Sequence, residues 1–300
     1  MSKRGCIIFN PAARGERAKV LQSHVSGLKE NWELMRTTGP NAARALACEA
    51  VQSGYETVFA AGGDGTVNEV LNGIGDASQG FERTRLGVLP FGTVNVFARE
   101  IGVPMRLDRA LRLLTEHREI TIDLPSMKFQ GETAGERFFI QMAGAGWDAR
   151  AVELADWNLK KRIGQFAYVV SGLKALREPR TSFQLTIESR CLTAQLVLVG
   201  NGRFYGGQIP IFSKANQQDG LLDVCVFPRI NWFVLARYVL GFLHPKLMSR
   251  GSESYLQTRG FTLASDSRTP VELDGEYAGC LPAECRIRPK ALRILTPLTI

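Results

Sequence analysis

One turn, Gly62-Gly63-Asp64-Gly65, constrains this chain more than any other stretch, because three glycines surround an acid where an apolar run gives way to a helix-forming one. The run 57–61 predicts a strand and the run 66–71 a helix, so the turn lies at a strand–helix junction. Glycine lets backbone come close to a ligand, and amides at a helix N-terminus favour phosphate. An acid in such a loop would repel a bare anion. It makes sense where Mg²⁺ accompanies the phosphates, since Mg²⁺ is held by one or two carboxylates plus phosphate oxygens. The alternative is a glycine-rich turn in which Asp64 caps the helix.

The frame around this turn is regular over the first 124 residues. Runs at 5–9, 33–37, 57–61, 86–89 and 119–124 predict strands; runs at 12–29, 41–52, 66–71, 94–100 and 107–115 predict helices. Alternation with short loops implies an α/β domain with a parallel sheet covered by helices. Ligands in such sheets sit at the carboxyl ends of the strands. Two more turns belong there. Asn10-Pro11-Ala12-Ala13-Arg14-Gly15 offers Asn10 as a donor and Arg14 as a phosphate contact, and Pro90-Phe91-Gly92-Thr93 places Thr93 to cap the next helix or bond a nucleotide. Thr37-Thr38 ends the second strand. Each alone is an ordinary turn; their shared position at strand ends points to a crevice.

After Pro125 the pattern changes to short strands separated by turn signals. Hairpins are expected at 127–130/137–142 and 182–188/192–200, with strands at 222–227, 255–263, 270–273 and 284–289. This reads as an antiparallel, sandwich-like β domain spanning 125–290, with helical insertions at 157–176 and 231–247. Asp219-Gly220 and Asp274-Gly275 are hairpin signals first. Glu276 remains of interest as a proton acceptor for an alcohol. Gly144-Ala145-Gly146-Trp147-Asp148-Ala149 fits a dinucleotide fingerprint, but that reading needs a second strand carrying an acid about 20 residues on. Here the chain continues Lys160-Lys161-Arg162 instead. Residues 157–180 mix aromatic and basic side chains, which suits either an anionic bilayer or a core face with a solvated basic side.

Charge is uneven. Residues 1–124 hold 15 Lys/Arg against 14 Asp/Glu, and residues 125–300 hold 22 against 15, so nearly all of the net +8 belongs to the second part. That favours a polyanionic partner there, nucleic acid or an anionic membrane surface. The six cysteines include no Cys-x-x-Cys and the three histidines are scattered, which argues against zinc. The apolar stretch 232–243 is broken by Arg237 and falls short of the roughly 20 residues of a spanning helix. A cytoplasmic location is expected.

Taken together, Asn10-Pro11 with Gly15, Gly62 to Gly73, Leu89-Pro90 with Gly92-Thr93-Val94-Asn95, Ile122-Asp123, Gly144 to Ala149, Asn201-Gly202, Asp219 to Asp223 and Asp274-Gly275-Glu276 resemble the diacylglycerol kinase catalytic-domain family, specifically the bacterial lipid kinases related to sphingosine and ceramide kinases. The Gly-Gly-Asp-Gly-Thr core is shared with NAD kinases and phosphofructokinases, so by itself it marks a superfamily. The resemblance implies an NAD-kinase/phosphofructokinase-like first domain and a last strand, near 291–300, that returns to it. It implies ATP bound by Asn10, Thr38, Gly62, Gly63, Asp64, Gly65, Thr66, Val67, Asn68 and Thr93, with Asp64 acting alongside Mg²⁺ and Glu276 as general base. A second, structural Mg²⁺ is implied at Asn216, Asp219 and Leu221, with Asp123 linked to it. Lys214-Ala215-Asn216-Gln217-Gln218 is less acidic than in much of the family, and Ala12-Ala13-Arg14-Gly15 stands where many relatives have Ser-Gly. The implied partners are ATP, a membrane lipid and an anionic membrane surface at the inner face, not nucleic acid; a homodimer is left open. Alternatives are a kinase of a soluble acceptor such as NAD, or a non-catalytic nucleotide- or lipid-sensing module.

Overall fold

The computed structural model describes residues 5–11, 15–26, 32–131, 134–154, 181–230 and 254–298. Arg14, the expected insertions at 157–176 and 231–247, and the basic aromatic segment 157–180 lie outside the described residues. The chain divides into two compact units, residues 1–124 with 290–300, and residues 125–289.

In the first unit, β1 (Gly5–Phe9), β2 (Trp32–Arg36), β3 (Thr57–Gly62) and β4 (Arg85–Pro90) form a parallel sheet in the order β2-β1-β3-β4. All of β1 and β3 is buried, as expected where helices cover both faces and the strands read as continuous apolar runs. The connections carry α1 (Gly15–Ser26), α2 (Ala42–Gln52), α3 (Asp64–Asp76), α4 (Gly80–Arg83), α5 (Val96–Glu100) and α6 (Leu107–Ala110), the last continuing as a 3-10 turn. Helix α3 runs five residues past the expected end at Leu71. Val67, Val70, Leu71 and Ile74 make one buried stripe, and that burial outweighs the helix-breaking tendency of Gly73 and Gly75. Gly73 also lets α2 come close: a Cβ there would lie 2.1 Å from the Arg44 carbonyl oxygen. The fifth strand, β5 (Arg118–Phe129), continues beyond its expected end at Leu124 and through Pro125.

The second unit holds β6 (Gly135–Phe138), β7 (Met142–Gly146), α7 (Trp147–Glu153), β8 (Phe183–Ile187), β9 (Arg190–Ala194), β10 (Leu196–Gly200), β11 (Leu222–Phe227), β12 (Ser254–Thr258), β13 (Gly260–Ala264), β14 (Pro270–Leu273), β15 (Glu276–Cys280) and the first half of β16 (Ala283–Thr296). One antiparallel sheet has the order β12-β11-β10-β7-β14-β15. In the other layer β13 pairs with β16 and β8, and β8 with β9. Val197, Val199, Val224, Val226, Val271 and Leu273 of the first layer pack with Phe183, Leu185, Phe261, Leu263 and Cys285 of the second. The opposite faces of β10 and β11 are buried too, in a cluster with Phe212 and Ile230. The sandwich is therefore as expected, but two strands read as single are split between layers. Run 192–200 breaks at Gln195, whose backbone N–H bonds Phe227 and whose carbonyl accepts Trp147 N–H. Run 255–263 breaks at Arg259, whose carbonyl accepts Ile287 N–H. The hairpin expected to reach Met142 stops at Phe138, and Met142 opens β7 in the other layer. Strand β16 leaves the sandwich after Pro289 and pairs with β4 of the first unit in parallel, Ile294 beside Leu86.

Candidate active site

The ends of β1, β3 and β4 are tied by backbone. Asn10 N–H bonds the Ala61 carbonyl at 3.3 Å, and Phe91 and Gly92 N–H both bond the Gly62 carbonyl, at 2.9 and 3.2 Å. The turns after β3 and β4 then touch backbone to backbone. A Cβ on Gly92 would lie 2.5 Å from Gly63 Cα, and one on Gly62 would strike the Thr66 side chain at 2.3 Å. Glycine here serves close approach. Asn95, at φ 53°, closes a ring on the second turn: its carboxamide accepts from Gly92 N–H at 3.0 Å and donates to the Gly92 carbonyl at 2.9 Å.

The ladder of α3 begins with Val67 N–H to the Gly63 carbonyl at 3.1 Å, so the amides of Asp64, Gly65 and Thr66 form the first turn, where helix donors face outward. Asp64 is half-buried in that turn and accepts from Phe97 N–H at 3.4 Å. That contact is with α5, and the cap position of α3 is Gly63. Glu69 stands one turn further on and accepts from Asn41 and Ala43 N–H at 3.1 and 3.0 Å, which caps the N-terminus of α2. Asn68 accepts from the Asn72 side chain. Thr38 and Thr93 are exposed. Asn10, Thr38, Thr93 and the residues Gly62 to Asn68 therefore all lie at the carboxyl ends of the strands or in the helix turn that follows.

In the second unit, Asp274 and Gly275 both have positive φ, 51° and 83°, making the tight turn that Asp-Gly signals. The buried Asp274 carboxylate accepts from Ile140, Gln141 and Met142 N–H at 2.9, 2.9 and 3.1 Å, and its own N–H bonds the Met142 carbonyl at 2.9 Å. Asn201 grips the same segment, donating to the Ile140 carbonyl at 2.9 Å. Glu276 follows directly and is exposed. Behind the turn, Glu272 is fully buried and accepts from Gly275 N–H at 2.6 Å. The residues read from sequence stop short of Glu272; its signal is an acid inside a strand whose neighbours are all buried.

Asn216, Asp219 and Leu221 lie in one turn before β11. Asp219 N–H reaches the Asn216 carbonyl at 3.3 Å, and Asp219 Oδ1 accepts from Leu221 N–H at 2.9 Å. One carboxylate with nearby carbonyls is a donor set that suits a hard cation completed by water. Among the described residues no three His, Cys, Asp or Glu converge as a metal group. Asp123 lies on β5 in the first unit, buried, and accepts from Lys290 N–H at 2.7 Å. The fingerprint-like segment Gly144 to Ala149 runs from the end of β7, antiparallel to its neighbours, into the start of α7, and the space over Gly144 is filled by the Asp148 and Glu272 carboxyls. No dinucleotide loop is built there.

Residues 4–127 match the diacylglycerol kinase catalytic domain, and residues 141–296 match the YegS C-terminal NAD kinase beta sandwich-like domain. The chain belongs to the diacylglycerol kinase catalytic-domain family. It is 28% identical to the diacylglycerol kinase of Staphylococcus carnosus, over 99% of this chain and 96% of the relative. It is 27% identical to that of Bacillus subtilis strain 168, over 94% and 92%. A crystal structure of a diacylglycerol kinase from Bacillus anthracis shares the fold with a TM-score of 0.75 at 21% identity, over 99% and 97% of the two chains. As a member of this family the chain is a kinase. Among the described residues no helix is long and apolar enough to cross a membrane.

Proposed function

We propose that this kinase transfers the γ-phosphoryl group of ATP to the hydroxyl of a membrane lipid of the diacylglycerol class, with Mg²⁺. The observation that carries the reading is the Gly63–Gly92 backbone contact with Asp64 in the adjoining helix turn, joined to relatives that bear the name diacylglycerol kinase. In this reading the amides of Gly62, Gly63, Gly65 and Thr66 bind the phosphates, and Asn10, Thr38, Val67, Asn68 and Thr93 contact the nucleotide. Asp64 would hold Mg²⁺, which when bound offsets phosphate charge. Phosphoryl transfer demands positioning and electrostatic stabilisation more than covalent chemistry. Glu276, exposed on its rigid turn, takes the hydroxyl proton, a role worth about 10²- to 10⁴-fold in rate. Asn216, Asp219 and Leu221 would hold a second, structural cation. The positive excess of residues 125–300 favours a peripheral approach to an anionic inner-membrane surface.

The test is incubation with γ-labelled ATP and Mg²⁺ in mixed micelles containing diacylglycerol, beside a parallel reaction with NAD and no lipid. Label in the lipid supports the reading. The resemblance of the sandwich to NAD kinases favours a soluble acceptor as the second reading, and label only on NAD would establish that instead.

A further inference from the structure

A buried and a half-buried carboxyl, Glu272 and Asp148, meet behind the turn that presents Glu276. Strand β14 lies beside β7 with Glu272 opposite Gly144. A Cβ on Gly144 would lie 2.6 Å from Asp148 Oδ2 and 2.9 Å from Glu272 Oε1, so both oxygens occupy the space that the missing side chain leaves. Glu272 is 0% exposed, and its Oε1 has no hydrogen-bond partner. Its other oxygen accepts from Gly275 N–H at 2.6 Å. Asp148 Oδ2 accepts from the Tyr205 hydroxyl. One proton on Glu272 Oε1 would give the orphaned oxygen a partner in Asp148, leaving Oε2 free to hold Gly275.

We infer that Glu272 and Asp148 share one proton and that protonated Glu272 acts as a positioning residue, fixing the Asp274–Gly275 turn and with it Glu276. The importance of Glu276 rests on the function proposed above; the shared proton does not. Two ionised carboxylates this close in a buried site repel strongly, and one pKa of such a pair is raised. Hydrogen bonds from Gly275 N–H and the Tyr205 hydroxyl oppose this only in part, and no positive charge acts on either carboxyl. Helix α7 brings Asp148, Arg150 and Glu153; the turn and β15 bring Asp274, Glu276, Tyr277 and Cys280; β7 brings no charge. Arg150 and Arg268 both pair with Glu153. The charges acting on Glu272 are Asp148, Asp274 and Glu276, all acids, and burial together with them raises its pKa well above the usual carboxylate range. Burial raises Asp148 to about 6, against the lowering effect of Tyr205.

The experiment compares the full-length wild type with Glu272→Gln and Glu272→Leu. Glutamine copies the protonated acid, its amide donating to Asp148 and its carbonyl accepting from Gly275. A group whose folded pKa is raised contributes stability that is present below its unfolded value, 4.5 for Glu272, and is lost as pH rises to the folded value. The thermal midpoint of the wild type should therefore fall relative to Glu272→Gln as pH rises above about 4.5. A pH-independent difference between the two would overturn the shared proton. Glu272→Leu should lower kcat about tenfold or more with KM for ATP unchanged, and Glu272→Gln should recover most of that loss. Wild-type kcat in the leucine variant would overturn the positioning role. If the wild type itself phosphorylates nothing, the function proposed above fails. The pH comparison still decides the proton, and amide exchange at Gly275, faster in Glu272→Leu than in Glu272→Gln, decides the positioning.

Discussion

Asp274 anchors the turn that carries the candidate base through three backbone N–H bonds, and Asp274→Asn measures how firmly. Asparagine is nearly isosteric and tolerates the left-handed backbone found here, φ 51°, so the substitution changes hydrogen bonding and little else. Asp274 Oδ2 accepts from Ile140 N–H, and Oδ1 accepts from both Gln141 and Met142 N–H. An amide in either orientation sets an NH₂ against at least one buried N–H. Leaving one buried donor unmet costs about 1–3 kcal/mol, and bonds to a neutral oxygen are roughly half as strong as those to a charged one. The total is about 3 kcal/mol, or roughly 6–12 °C in the melting of a unit of this size. The assay is thermal unfolding with amide exchange read at residues 140–142. A loss below about 1 kcal/mol, with protection there unchanged, would refute the reasoning.

Three further outcomes are expected. Gly92→Ala puts a Cβ 2.5 Å from Gly63 Cα, so the turns must part; KM for ATP should rise about tenfold or more, checked by steady-state kinetics. Gly73→Ala should destabilise by about 1–3 kcal/mol despite better helix propensity, because the new methyl meets the Arg44 carbonyl; denaturant unfolding reads this, and a stabilised variant would contradict the α2–α3 packing. Thiol labelling should take exposed Cys191 first and reach Cys6 and Cys285 only on unfolding, since burial pushes the Cys6 thiol up to about 12 and raises Cys285 as well.

The α/β frame was legible because β1, β3 and β4 are buried on both faces and announce themselves as unbroken apolar runs. The Gly62–Gly65 turn was legible for a similar reason: glycines at a strand end leave few alternatives. The end of α3 was not, since Asn72 and Gly73 look like a stop until the close packing of α2 explains them. In the sandwich, period and turn signals located strands but not layers. Nothing local in 192–200 says that the chain changes sheets at Gln195, because that depends on partners such as Phe227 and Trp147 far along the chain. Asp274-Gly275 was readable as a turn, whereas its clamp on residues 140–142 and the meeting of Glu272 with Asp148 exist only once β7 and β14 pair.

The most direct measurement is ATP binding and lipid phosphorylation on the same preparations of wild type, Glu276→Gln and Asp64→Ala. The chemistry proposed for Glu276 predicts that Glu276→Gln binds ATP with nearly unchanged affinity while labelled lipid falls by about 10²-fold or more. Asp64→Ala should lose label as well, through its part in holding Mg²⁺-ATP. Labelled lipid formed by Glu276→Gln at the wild-type rate would contradict the assignment of the base.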